Sequence, residues 1–517
     1  MELTVLEKRP EQKSNAHSQH STADFAEGEI VLVSNGPTLA RNFNLLSACA
    51  TGITTGNSWA VLGAGIATSL HNGGAAGAIY EYAVVSIFYG FIAASIAELA
   101  SSIPSSGGVY HWALVTAGTK YGKICGWFAG WLNGLAWMFA VASNCVMVSN
   151  MVLWSYKLYH PELEPQRWHV FICYLILSWG CCFTVIFAQR SLPLISRLGS
   201  FLIIVGFFVT IIVCAVMPGL AGGGYASSEF VWKQWNNSTG YSSDSFVFLA
   251  GMLNGAYAVG AIDCVTHIAE EIPRPRVNLP KALACQVAIG FVTGFSYLIV
   301  VFYATRNLEA IIELETICPI GEMYLQATGS KGGAAGLLIV IILPILCATV
   351  GCYVTAGRTL YALGRDGATP FASKIGAVSS RWQSPLYSTL ACGIFMTCIG
   401  AVYVGSLTAF NAFIGSFVVL STLSYLLAIL PHLMSGRKLI KPGAFWMGRF
   451  GAAVNTVACL YIAVSIVIYC FPYNLPTTAE AMNYTSVIVS GLAVLVGLWW
   501  MLHGGRHYQG PGVDLQV

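Results

Sequence analysis

From about residue 43 onward the chain alternates between long, nearly unbroken apolar blocks and short polar clusters. A helix needs about 20 apolar residues to cross the hydrocarbon core of a bilayer. Blocks of that kind lie at 43–70, 76–99, 124–154, 168–187, 197–217, 245–269, 282–304, 333–361, 385–405, 408–430, 450–471 and 485–503, and they are numbered spans 1 to 12 in that order. The pattern predicts an all-α integral membrane protein with twelve transmembrane helices.

Two of the blocks are interrupted where a simple membrane helix would be apolar. Span 1 reads Ala50-Thr51-Gly52-Ile53-Thr54-Thr55-Gly56-Asn57-Ser58-Trp59, and span 6 reads Leu253-Asn254-Gly255-Ala256-Tyr257-Ala258-Val259-Gly260-Ala261-Ile262-Asp263. Glycine weakens a helix, and short hydroxyl or amide side chains offer its backbone other partners. The interruptions are five spans apart, so spans 1 and 6 run in opposite directions. Broken helices at matching places in two oppositely oriented repeats mark the substrate site of inverted-repeat transporters. Close helix packing is the competing explanation, and it suffices for Gly63, Gly65, Gly290 and Gly294. A helix restarting near Ser58 would offer free N–H groups to an anion, and one ending before Gly255 would offer carbonyls to a cation. Such a pair of ends suits a zwitterion.

Composition supports the lipid bilayer as the surroundings. Only 9% of the 517 residues are charged and 56% are hydrophobic, where a soluble chain carries about a quarter charged. The net charge is +3 with no basic cluster, which excludes nucleic acid as a partner. Most of the 16 cysteines sit inside apolar runs and read as small buried thiols; Cys318 falls in a loop. Residues 1–41 read as a disordered cytoplasmic tail with no cleavable signal, 42–503 as the transporter domain and 504–517 as a second cytoplasmic tail. With both termini inside, twenty of the 25 lysines and arginines lie on the inner side, as the positive-inside bias requires. The loop 305–332, with Glu309, Glu313, Glu315 and Glu322, is then a solvated outer surface with room for a short amphipathic helix. Sequons at Asn236, Asn237 and Asn483 also fall outside and are candidate glycosylation sites.

Three motifs carry a family resemblance. Ala97-Glu98-Leu99-Ala100-Ser101-Ser102-Ile103-Pro104-Ser105-Ser106-Gly107-Gly108-Val109-Tyr110, Ile262-Asp263-Cys264-Val265-Thr266-His267-Ile268-Ala269-Glu270-Glu271, and Arg358-Thr359-Leu360-Tyr361-Ala362-Leu363-Gly364-Arg365-Asp366-Gly367 resemble signatures of the amino acid–polyamine–organocation superfamily. His160-Pro161-Glu162, Arg167-Trp168-His169 and Met482-Asn483-Tyr484 are similar to the fungal amino acid/choline permeases. The resemblance implies a five-plus-five inverted-repeat core with discontinuous helices 1 and 6, and two added helices. It also implies a secondary transporter that imports a small amine or amino acid such as choline or GABA across the plasma membrane with a co-transported proton and no cofactor. A transporter-like nutrient receptor, or an exporter or exchanger of an amino-acid-derived metabolite, is the alternative. The family's substrate loop falls on Thr55, Gly56, Asn57 and Ser58, its gating aromatic on Tyr257 between Gly255 and Gly260, and its acidic position on Asp263. Span 5 departs from some proton-coupled relatives in having no lysine that could replace sodium.

Several residues have both a functional and a structural explanation. Asp263 is ionisable inside a span, which marks a functional site, and His267 lies one turn away; Thr266 and backbone amides could instead cap it. Glu98 is an interfacial anchor, a gate partner or a coupling group. Glu270 and Glu271 read as solvated or paired with Arg274, Arg276 and Lys281. Tyr257, Trp59 and Trp137 could wall a cage for an ammonium group, or simply pack. Asn133 could meet substrate or bond a neighbouring helix. No metal-ligand spacing, nucleophile elbow or nucleotide loop supports an enzyme, and no filter loop or gating-arginine series supports a channel.

Overall fold

The structure, a computed structural model, describes residues 44–510 apart from 57, 315, 406–407, 480–481 and 509. The residues 1–41 expected as a tail therefore lie outside the described residues, as does Asn57. Helices occupy all twelve expected places. Among the described residues eleven are individually long and apolar enough to cross a membrane. The twelfth place, span 1, is helical over Leu45–Gly56 and Ser58–Ala64, on either side of residue 57, which lies outside the described residues. The other spans are Gly74–Ser102, Gly118–Tyr159, Arg167–Phe187, Leu192–Leu220, Asp244–Val259, Pro275–Ala304, Lys331–Arg365, Leu386–Gly405, Ala409–Met434, Gly451–Ile468 and Thr485–Trp499.

Local chemistry sets these ends. Ser243 starts span 6 by accepting from the Phe246 amide, and Ser330 starts span 8 by accepting from Gly333. Proline stands in the first turn of spans 5 and 7, where its missing N–H costs nothing. Span 3 overruns its expected block at both ends because Lys120, Lys123 and Lys157 reach water along their own stems. Span 12 continues helically to His507, and Tyr508 packs edge-on against Trp127.

Span 6 breaks later than expected. Its helix runs through Gly255 to Val259 and gives way at Gly260–Ala261, after which Ile262–Glu271 winds as a 3₁₀ segment. Gly255 stays helical because its bare face meets span 2: a Cβ there would come 2.6 Å from Val85. This glycine therefore serves close packing, not the break.

The packing has the symmetry of an inverted repeat. Span 1 lies against span 7 as span 6 lies against span 2, and span 3 lies against span 10 as span 8 lies against span 5. Span 3 is the central post, 94% buried over its apolar window, against 17% for span 12 at the periphery. The loop 305–332 holds two short helices, Leu308–Glu313 and Pro319–Thr328. Cys318 is buried between them, and burial pushes its thiol up to about 12.

The three sequons differ. Asn483 is 1% exposed and donates to the Tyr469 and Phe471 carbonyls, so its amide has no room for a glycan. Asn237 donates to the Tyr241 carbonyl and to Asp244. Asn236, half-buried, has no such engagement of its amide.

Candidate functional site

Gln286 of span 7 meets both Gly56, where span 1 is expected to break, and the break in span 6. The Gln286 amide donates to the Ala261 carbonyl at 2.8 Å, capping a backbone group that the break leaves open. The same amide lies where a Cβ on Gly56 would stand, 2.8 Å away. Gly56 is thus required by the close approach of Gln286, not by a left-handed turn. Gly56→Val is expected to push Gln286 off Ala261 and cut uptake at least about tenfold, since leaving a buried polar group unpaired costs about 1–3 kcal/mol. Uptake by surface-delivered G56V at the wild-type rate would refute this.

Most side chains around the span 1 break point into helix contacts. Thr55 projects at Gly351 of span 8, and Ser58 projects at Gly290 of span 7. Trp59 donates its indole N–H to the Ile203 carbonyl of span 5 and packs on Tyr297, so it does not wall a cage with Tyr257. Thr54 reaches the Ser196 carbonyl of span 5 at 2.7 Å. The position facing it is Gly199, and any side chain there would overlap Thr54.

The chemistry concentrates at Asp263, which is fully buried. Its Oδ1 accepts from the Tyr425 hydroxyl at 2.6 Å. Its Oδ2 accepts from Asn133 at 2.8 Å and from the Trp137 indole at 3.4 Å, and lies 3.0 Å from His267 Nε2. Thr266 caps the Asp263 carbonyl, not its carboxylate. His267 Nδ1 lies 3.2 Å from both the Ser106 carbonyl and Thr359 Oγ1. The Thr359 hydroxyl already donates to Thr355, so both neighbours of Nδ1 are acceptors and Nδ1 carries a hydrogen. A proton shared between His267 Nε2 and Asp263 Oδ2 would keep an imidazole lone pair from facing the carboxylate.

Beside this pair stand three aromatic rings. Phe417 of span 10 meets Tyr257 edge-on at 5.2 Å and Trp137 at 5.7 Å. A Cβ on Gly260 would come 3.1 Å from Phe417, so that glycine brings the break up to the ring. Tyr257 is tied to span 3 through Asn144 and the Ala140 carbonyl. Sequence reasoning missed Tyr425, Phe417 and Gln286, which sit in apolar runs with no local signal; Gln286 alone stands out as an amide inside a span.

Ion pairs close the end of the molecule that carries most of the basic residues. Glu98 accepts from Arg437 at 2.6 Å and from the Met447 amide, and lies 3.3 Å from His432. These contacts tie the end of span 2 to the segment after span 10 as a latch. Glu271 is 1% exposed and pairs with Arg358 of span 8 at 2.8 Å, while Glu270 accepts from Ser106. Among the described residues neither glutamate pairs with Arg274 or Lys281; Glu271 is turned inward to Arg358 and Glu270 stays half-buried. Asp366, just past span 8, is bonded by Tyr110 and flanked by His111 and Arg365. Burial would raise its carboxyl, but His111 and Arg365 hold it below the usual carboxylate range. At the opposite end a cavity opens, lined by Asn72, Thr239, Asn411, Tyr469 and Asn474.

Residues 43–493 match the amino acid permease family model. The chain belongs to the amino acid permease family. This permease is 30% identical over 514 residues to the choline transporter of Saccharomyces cerevisiae, covering 97% of this chain and 90% of that one. It is 26% identical to the 7-keto 8-aminopelargonic acid transporter of the same yeast, over 89% of this chain and 91% of that one. It is 27% identical to the amino-acid permease BAT1 homolog of Oryza sativa subsp. japonica, over 92% and 91% respectively. The permease is a membrane transporter of the amino acid and amine class, not an enzyme.

Proposed function

We propose that this permease imports a small organic cation or zwitterion, choline first and amino acids second, together with a proton across the plasma membrane. The observation that carries the reading is Trp137, which bonds the buried Asp263 carboxylate at the span 6 break and is joined through Phe417 to Tyr257. Aromatic faces beside a carboxylate attract an ammonium group. The name of the yeast relative, a choline transporter, supports the same choice.

The proton held between Asp263 and His267 is the coupling proton in this reading. The lysine and arginine bias puts both termini and the latched end in the cytoplasm. The cavity then opens outward while Glu98–Arg437 and Glu271–Arg358 keep the inside shut, as import requires.

Uptake of labelled choline, GABA and amino acids, with and without a protonophore, tests the reading. Choline uptake should collapse with the protonophore, and excess choline should compete with any other transported amine. Tyr257→Ala should weaken choline by about 1–2 kcal/mol, roughly tenfold in apparent affinity, and Tyr257→Phe, which keeps the ring, by less. Transport of a sugar or inorganic anion in place of amines would sink the proposal.

A further inference from the structure

Glu81 of span 2 has no role in the site described above. It lies seven residues past Gly74, about 10 Å along the helix, well inside the membrane. Its side chain is 1% exposed, and neither carboxylate oxygen has a hydrogen-bond partner. The carboxyl presses on Gly251 of span 6, where a Cβ would overlap it. An ionised carboxylate without donor or cation is far too costly in such a place, and the group takes up a proton instead.

The groups around it are hydroxyls, not charges. Tyr469, just past span 11, lies within electrostatic reach of Glu81, and its hydroxyl is 3.1 Å from that of Tyr461. Tyr461 meets Tyr89 of span 2 edge-on, and the Tyr89 hydroxyl is unpartnered. Span 6 offers Gly251, and its Asp244 bonds Asn237. Span 7 offers Gly290 and Gly294 to Tyr82. Span 10 contributes Tyr425, held by Asp263, and His432, held by Glu98. Among the described residues no cation pairs with Glu81. Ala250, next to Gly251, and Tyr469 both line the cavity at the end opposite the latches.

We propose that Glu81 is a second proton-binding site of the transport cycle, distinct from Asp263 and loaded from that cavity. A hydronium ion in cavity water gives its proton to the carboxylate, leaving water and the neutral acid present in this conformation. The proposal rests on the proton-coupled reading above, and its test separates the two.

A lipophilic carbodiimide adds across a protonated carboxyl in apolar surroundings and rearranges to a stable acylurea. The groove lined by Phe88, Met252 and Tyr461 gives it access from the lipid side. Peptide mapping of the labelled full-length protein should place an adduct on Glu81. In proteoliposomes, an inward gradient of one pH unit should raise substrate accumulation about tenfold per coupled proton. Wild type and Glu81→Asp should therefore gain about a hundredfold, and Glu81→Gln, which keeps the Asp263 proton, only about tenfold. An unlabelled Glu81, or a Glu81→Gln variant with the wild-type gradient response, would overturn the proposal. A wild type indifferent to the gradient would instead sink proton coupling itself, and the adduct alone would then decide whether Glu81 binds a proton.

Discussion

Asp263→Asn is expected to abolish concentrative uptake, with a loss of at least roughly a hundredfold. The carboxylate takes donors from Tyr425, Asn133, Trp137 and His267, none of which has a nearby substitute. An asparagine amide supplies one acceptor oxygen and turns an N–H₂ toward at least one of those donors. A buried hydrogen-bonding group set against its own kind costs about 1–3 kcal/mol, and more when a charge loses its partner. The shared proton also disappears, because an amide cannot hold it. Exchange of substrate at equilibrium needs no net proton movement and should fall less than accumulation. The measurement is gradient-driven uptake beside counterflow in the same vesicles. Equal losses in both would make Asp263 a structural anchor; unchanged accumulation would remove it from the mechanism.

Glu271→Gln should be nearly as damaging, for a different reason. Arg358 is 3% exposed, and Glu271 is its ion-pair partner. Breaking a buried pair on one side costs about 3–5 kcal/mol, while replacing both partners by apolar residues of similar size is often neutral. Glu271→Gln and Arg358→Met alone should each lower thermal stability in detergent and increase labelling of cysteines placed at the latched end. The double variant Glu271→Leu/Arg358→Met should recover stability but not transport. A pair that only supports folding predicts recovery of both.

Much of the fold was legible because membrane spans are written in continuous stretches of apolar residues. The break expected in span 1 rests on Thr54-Thr55-Gly56-Asn57-Ser58, a local run of weak helix formers, and its residue 57 lies outside the described residues. The break in span 6 was misplaced by five residues. Gly255 and Gly260 look alike in sequence, and only the packing of Gly255 on Val85 tells them apart. Trp59 and Trp137 likewise have no sequence feature that separates a ring facing span 5 from one reaching Asp263. Glu271 and Arg358 are 87 positions apart, and nothing local announces their pairing. Glu81 passed unnoticed because a single acid does not interrupt an apolar block; its meaning lies in the partners it lacks.

The ten residues Ile262–Glu271 join Asp263 to the Glu271 latch as a 3₁₀ segment, kinked at Ile268. Such winding rises about 2.0 Å per residue where an α-helix rises 1.5 Å, and it is uncommon beyond three or four residues. Before the kink, the stretch from Ile262 to His267 is therefore about 3 Å longer than an α-helix of the same residues. The ends of the whole segment are pinned, one by the Asp263 cluster and the other by Arg358, and this holds it drawn out. Releasing either end lets it shorten, so an event at the middle of the membrane reaches the latch as a change of length, in the manner of a taut tether.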